Sequence, residues 1–308
     1  MNILIRLPLA TALALGLTAP LTAQADALEQ QLDDLQQFQI IAHRGASGHA
    51  PEHTWPAYEL AREMGADYLE LDLHMNADGE LMVIHDTTLE RTTDGEGKVK
   101  DFTLEALKAL DAGSWFNQAH PERADDAYAG ARLLTLDEVI DRYGRDVRYY
   151  IETKSPERYP ELQRALVETL EAEGLVDAGS VIIQSFSRDS LEQVHELNAD
   201  IPLVQLVWYS PAEDGDGLVE WTGVTPAPAE ITDADFQAIA EYAVGVGPNV
   251  VYDGEDVIDK SFVEQAHANG LLVHPYTINE PEQMQRLLDW GVDGMFTNFP
   301  DRLREIVE

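Results

Sequence analysis

Between residues 68 and 75 polar and apolar positions alternate without a break: Glu70, Asp72 and His74 interleave with Leu69, Leu71 and Leu73. A period of two puts each set on its own face of a strand. Helical patterns flank this segment on both sides, so the leucines are expected to pack outward onto helices and the acids to point inward. The same reading predicts strands over 38–42, 148–153, 181–185, 203–207, 244–246, 271–276 and 294–297, and a short returning strand over 81–85 after the turn at 76–79. Helical spacing appears over 136–143, 159–173, 188–198, 234–242, 260–269, 282–290 and 302–307. A further helix is expected after Glu52-His-Thr54, with Thr54 as N-cap, Pro56 in the first turn, Ala57, Leu60, Ala61 and Met64 on its apolar face, and Gly65 as its stop. The polar lead-in 26–37 is read as a short helix closing the bottom of the fold.

Strand and helix alternate throughout, which implies a parallel sheet covered by helices. Eight such units over roughly 250 residues suit a TIM (β/α)8 barrel better than an open doubly wound sheet. No Gly-rich phosphate fingerprint follows the first strand, which weakens a Rossmann reading further. The expectation is an α/β fold: one TIM barrel over 26–308 with a β-hairpin after the second strand. Two polar stretches, 87–132 (with one helix over 104–110) and 209–232, are too long for plain connections and are read as excursions over the active face.

Residues 1–25 change the picture of where the chain works. Arg6, the apolar run 7–17 and Ala23-Gln24-Ala25 read as a secretory signal cleaved after Ala25. The apolar run is broken by Pro8, Thr11 and Gly16 and falls short of a spanning length of about 20 residues, so no stable membrane anchor is expected. With no cysteine anywhere, disulfides and a Cys-linked lipid are excluded. An exported protein is expected, periplasmic if the cell has two membranes. The 57 acidic and 20 basic residues leave a net charge of -37, which argues against nucleic-acid binding. With 44% hydrophobic residues in periodic segments, the charge is read as a solvated, halophilic-type acidic shell rather than a sign of disorder. Stability and activity are then expected to depend on salt; constant values from low to molar salt contradict this.

In a barrel the catalytic groups lie at the C-terminal ends of the strands. The polar residues there are His43 and Arg44, Glu70 and Asp72, Glu152 and Lys154, Gln184, His274, and Thr297-Asn298. Inward charges are costly unless paired or bound to a metal. A structural ion-pair network is one account. Three carboxylates against Arg44 and Lys154 alone favour a bound cation, and all-oxygen ligation selects Ca²⁺ or Mg²⁺ rather than zinc. His74 shares the face of Glu70 and Asp72 and is placed one layer deeper or in the pocket lining. Gln184 is a candidate to hydrogen-bond substrate. Glu52 either reaches the metal or substrate or caps the next helix. His53 is expected to cap or pack, His49 to face solvent, and His274 to line the pocket. Trp208, Tyr276 and Phe299 are core or rim aromatics that could flank a small substrate.

Read as an ordered set, His43-Arg-Gly, Pro51-Glu-His-Thr54, Gly65-Ala-Asp, Glu70-Leu-Asp72, Asp78-Gly79, His85-Asp86, Arg91-Thr-Thr and Glu152-Thr-Lys154 resemble the glycerophosphodiester phosphodiesterase family. Gln184-Ser-Phe, Val273-His-Pro-Tyr-Thr277 and Thr297-Asn-Phe-Pro300 extend the resemblance over nearly the whole mature chain. The Pro-Glu-His-Thr and 273–277 segments resemble exported members, whereas 87–116 is closer to short cytoplasmic ones. The resemblance implies a TIM barrel hydrolysing a small-molecule glycerophosphodiester to sn-glycerol 3-phosphate and an alcohol. It implies His43 and His85 as the acid–base pair, and Glu70, Asp72 and Glu152 as ligands of one divalent cation, calcium favoured over magnesium. Arg44, Lys154, Gln184 and Glu52 fall to substrate and phosphate binding. The expected chemistry is attack by the glycerol 2-hydroxyl with His43 as base and His85 as acid, through a cyclic phosphate; direct attack by water is the competing route. A barrel glycosidase is the alternative class: it needs two carboxylates but leaves both histidines and Arg44 without work.

Overall fold

The computed structural model describes residues 28, 30–212 and 217–308; the expected signal segment 1–25 lies outside them. Eight parallel strands form the barrel: β1 (Gln39–Ala42), β2 (Tyr68–Met75), β3 (Arg148–Thr153), β4 (Val181–Ser185), β5 (Leu203–Val207), β6 (Gly245–Pro248), β7 (Leu272–Val273) and β8 (Gly294–Thr297). From β1 to β7 each strand pairs with the next in sequence, and β1 pairs with β8. The last seam, between β7 and β8, is closed by backbone bonds from Asp293 N to Val273 O, Phe296 N to Pro275 O and Ile278 N to Phe296 O, at 3.1, 3.0 and 2.7 Å.

The alternation along β2 has the predicted sense. Leu69, Leu71 and Leu73 lie in the layer between barrel and helices, together with Tyr149, Ile151 and Ile183 of the next strands. The inner residues are Ile41, Tyr68, Tyr150, Ile182, Val204, Leu272 and Phe296, which form a separate apolar plug. Leu35, from the lead-in, is fully buried in this plug, and the Gln31 side chain donates to Val181 O at 2.8 Å. The lead-in therefore does close the bottom. Above the plug the inward positions turn polar, and the chemistry begins there.

The excursions carry more structure than expected. The first contains helices Leu104–Lys108 and Ser114–Ala119, and builds its own apolar cluster from Met82, Ile84, Leu89, Val99, Leu107, Ala112 and Leu133. Its Tyr128 hydroxyl donates to His49 O at 3.2 Å, and Arg123 donates to Gly48 O, strapping the loop after β1. The second forms a two-stranded hairpin, Tyr209–Pro211 with Leu218–Glu220. Among the described residues no helix is long and apolar enough to cross a membrane.

Candidate active site

The inner face of β1 continues into His43, after which the chain reverses sharply. Arg44 has φ 59° and Gly45 φ 81°. A Cβ at Gly45 would stand 2.7 Å from the Ala57 carbonyl carbon, so only glycine lets this loop sit on helix Trp55–Glu63. Arg44 is a non-glycine residue held in the left-handed region, a costly conformation that needs support. Support comes from the site itself: Arg44 N–H donates to Glu70 Oε2 at 2.7 Å. The Arg44 guanidinium lies 3.3 Å from Asp72 Oδ2 and donates to Glu52 Oε1 at 3.1 Å.

Strand register aligns the next three groups. Asp72 is opposite Glu152, and Glu152 is opposite Gln184. Lys154 Nζ stands 2.9 Å from Glu152 Oε1 and 3.7 Å from Asp72 Oδ1. Glu70, Asp72 and Glu152 are all buried. Burial and the neighbouring Asp72 charge raise the Glu70 carboxyl, and burial takes Glu152 to about 7 against the pull of Lys154. Asp72 is driven the other way: Lys154 and the His53 hydrogen bond outweigh its burial and hold it low. Three carboxylates short of positive charge, offering only oxygens, are a donor set that fits a hard divalent cation.

The ligand atoms of His53, Glu70 and Asp72 lie within 4.8 Å of one another, which makes His53 a geometric candidate too. Both its nitrogens are engaged, however. The Tyr58 hydroxyl meets Nδ1 at 2.8 Å and Asp72 Oδ2 meets Nε2 at 2.9 Å. Burial lowers the His53 pKa, so the ring is neutral and donates its Nε2–H to Asp72. In this state its hydrogen bond orients the Asp72 carboxylate.

The two pocket histidines are anchored in the same way, each through Nδ1. His43 Nδ1 is 2.7 Å from Asn298 Oδ1, and His85 Nδ1 is 2.6 Å from Asp86 Oδ1. Both partners are acceptors, so each Nδ1 carries the proton and each Nε2 is left for the pocket. Although His43 reaches the pocket, burial and Arg44 lower its pKa to about 3, leaving the imidazole neutral near pH 7. His74 Nε2 holds the His85 carbonyl at 3.0 Å. Asp86 is held low by its His85 bond and by Arg91, whose Nε donates to it at 2.7 Å.

A cavity of about 190 Å³ brings together His43, Arg44, Glu70, His85, Glu152, Lys154, Gln184, Phe186, Trp208 and Tyr276. Gln184 Oε1 is buried there without a partner. Glu52 does not line this cavity; Arg44 and two Arg91 nitrogens occupy it and lower its pKa to about 2. A carboxylate so held braces Arg44. It does not cap the helix. His274 is buried beneath the cavity with Nδ1 on the Tyr150 hydroxyl at 3.0 Å, rather than in its wall. His74 is likewise buried outside the lining, edge-on to Tyr159. His49 is not free in solvent but bonded to Asp301 at 2.9 Å, and Phe299 packs edge-on against it. Arg91, Asp86, Asn298 and the orienting role of His53 were absent from the sequence-derived site. They entered only inside quoted motifs: Arg91-Thr-Thr, His85-Asp86, Thr297-Asn298 and Pro51-Glu-His-Thr54.

The sequence model of the glycerophosphoryl diester phosphodiesterase family matches residues 43–302. The chain is 46% identical over 270 residues to a glycerophosphodiester phosphodiesterase of Bacillus subtilis, covering 86% of this chain and 85% of that one. It is 35% identical over 274 residues to one from Caldanaerobacter subterraneus, covering 87% and 97%. Among solved structures it is similar to a phosphodiesterase of Oleispira antarctica in complex with the product sn-glycerol-3-phosphate. That match has a TM-score of 0.70 and 26% identity, covering 90% and 98% of the two chains.

Proposed function

This chain belongs to the glycerophosphoryl diester phosphodiesterase family, and on that premise we propose that it hydrolyses glycerophosphodiesters to sn-glycerol 3-phosphate and an alcohol by paired-histidine catalysis with one divalent cation. The observation that carries the reading is the matched anchoring of His43 and His85. Each ring spends its Nδ1 proton on a fixed acceptor and turns Nε2 toward a cavity that also holds Arg44 and Lys154. A glycosidase would need neither ring, and that alternative falls with the family assignment.

The roles follow from the anchors. A neutral His43, with Nε2 unprotonated, is the base that takes the proton of the glycerol 2-hydroxyl. His85, oriented by its Nδ1 bond to Asp86, gives a proton to the leaving alcohol oxygen. Attack by the 2-hydroxyl oxygen forms a bond to phosphorus as the bond to the alcohol breaks, giving a cyclic phosphate. Water then opens the ring with the two histidines exchanging roles. Arg44 and Lys154 neutralise the phosphate oxygens, and the unpartnered Gln184 Oε1 accepts from a substrate hydroxyl. Glu70, Asp72 and Glu152 would hold the cation, calcium in preference to magnesium, and its contribution is electrostatic stabilisation of the phosphoryl group and a more acidic attacking hydroxyl.

We also propose export, to the periplasm of a two-membrane cell, on the pattern of residues 1–25; a mature N-terminus at Asp26 in the exported fraction tests it. For the chemistry, phosphorus NMR during turnover of glycerophosphocholine is the test. Glycerol 3-phosphate should accumulate, and His43→Ala and His85→Ala should each slow turnover by roughly 10²–10⁴-fold. If a substrate lacking the 2-hydroxyl is turned over at the normal rate and no cyclic phosphate is seen in either variant, the two-step route is wrong and water attacks directly.

A further inference from the structure

Beside the catalytic cavity a second recess of about 330 Å³ is lined by Phe186, Trp208, Ser210, Trp221 and Tyr252. Phe186 and Trp208 are walls of both, so the recess adjoins the catalytic cavity. Trp208 stacks on Tyr276 with centroids 6.2 Å apart at 22°, and meets Tyr252 edge-on at 6.3 Å. Phe186 meets Trp221 at 5.9 Å and Tyr276 at 6.0 Å, both edge-on. These contacts fix the rings at the rim of the barrel. Trp221 is nevertheless 71% exposed and Tyr252 38%, unusual for rings this large.

Two of the other three tryptophans are covered by the chain's own cations: Arg142 lies 4.5 Å from the centre of Trp55, and Arg286 lies 5.2 Å from that of Trp290. Phe186 faces Lys154, whose Nζ lies 5.9 Å from its centre, but among the described residues no Lys or Arg lies over Trp208, Trp221 or Tyr252, so those three faces are open to an external cation. Negative charge stands behind them. The Glu220 carboxylate is buried and pinned by the backbone N–H groups of Trp208, Thr222 and Val224, and its charge acts on Tyr276. Ser210 is the one aliphatic hydroxyl in the lining. A polyol head group entering this recess would give up hydrogen bonds to water without replacing them, and a primary ammonium would strand its N–H donors. A trimethylammonium group has no donors to satisfy and is bound by aromatic faces.

We propose that this recess is the subsite for the leaving alcohol, selecting diesters whose head group is a quaternary ammonium. The inference rests on the phosphodiesterase reading and deepens it: Arg44 and Lys154 hold the phosphate, and Phe186 and Trp208 direct the head group outward to Trp221 and Tyr252.

The test compares kcat/KM for glycerophosphocholine and glycerophosphoglycerol in the wild type, Trp221→Ala and Trp221→Phe. The exposure of Trp221 means its removal strips little core. The wild type should favour the choline diester, the ratio should fall about tenfold in Trp221→Ala, and Trp221→Phe should recover most of it. Tetramethylammonium chloride should inhibit the wild type more than sodium chloride at equal ionic strength. A ratio near one in the wild type, or one unchanged by Trp221→Ala, overturns the proposal. If neither diester is turned over, the phosphodiesterase reading fails instead, and calorimetry with tetramethylammonium decides the recess alone. Heat of binding in the wild type that is lost in Trp221→Ala upholds it, and no heat overturns it.

Discussion

Arg91 lays two guanidinium nitrogens on the Glu52 carboxylate, at 2.7 and 2.8 Å, although the two residues are 39 positions apart. Its Nε reaches Asp86 at 2.7 Å in the same pose. One side chain from the first excursion thus braces both sides of the cavity, His85 through Asp86 and Arg44 through Glu52. Arg91 is 42% exposed, so its net effect on stability should be small. Its effect on geometry should not be.

Arg91→Lys keeps the charge but cannot span two carboxylates with a planar fork. It is expected to lower kcat by about 10–100-fold with little change in KM, as misplacement of a catalytic group does, and to leave the thermal midpoint nearly unchanged. A parallel fall in stability and activity would make Arg91 a structural brace only.

His274 makes stability depend on acid. Burial lowers its pKa from 6.5 to about 4, opposed only in part by Asp293. Between those values the unfolded chain binds a proton that the folded chain refuses, so stability falls as pH drops through that window. Over the full window the loss is about 3 kcal/mol. His274→Gln retains an acceptor for Tyr150 and cannot titrate. Denaturant unfolding at pH 7 and pH 4 should show a smaller loss in the variant than in the wild type, and equal losses would show that His274 is not the group responsible.

What could be read from the chain was what depends on local periodicity. The bounds of β2, β3, β4, β5 and β8 follow from alternation or short apolar runs, and the structure reproduces all five. Two of the overruns trace to proline. The strand expected over 271–276 pairs as a strand only at Leu272–Val273, because Pro275 has no N–H to give the ladder. The helix expected from 159 starts at Leu162, since the residue before Pro160 is pushed out of the helical region.

Contacts across the barrel mouth lay beyond that reach. His53 meets Asp72 only because its backbone takes φ 57°, a conformation that nothing in its neighbours' periodicity announces. Asn298 anchors His43 across 255 residues, and Arg91 arrives from a segment whose fold rests on its own small apolar cluster. The candidate chemistry could be read because charged residues at strand ends are costly without a task; the parts that aim it could not, because their pairing is set by barrel closure.

The account turns on whether Glu70, Asp72 and Glu152 hold a catalytic cation. The most direct measurement is release of glycerol 3-phosphate from glycerophosphocholine by chelator-stripped protein, then with calcium or magnesium restored. Turnover should be lost on chelation and regained with calcium, and Glu152→Gln should need a higher calcium concentration for the same rate. Full turnover in excess chelator would contradict the account.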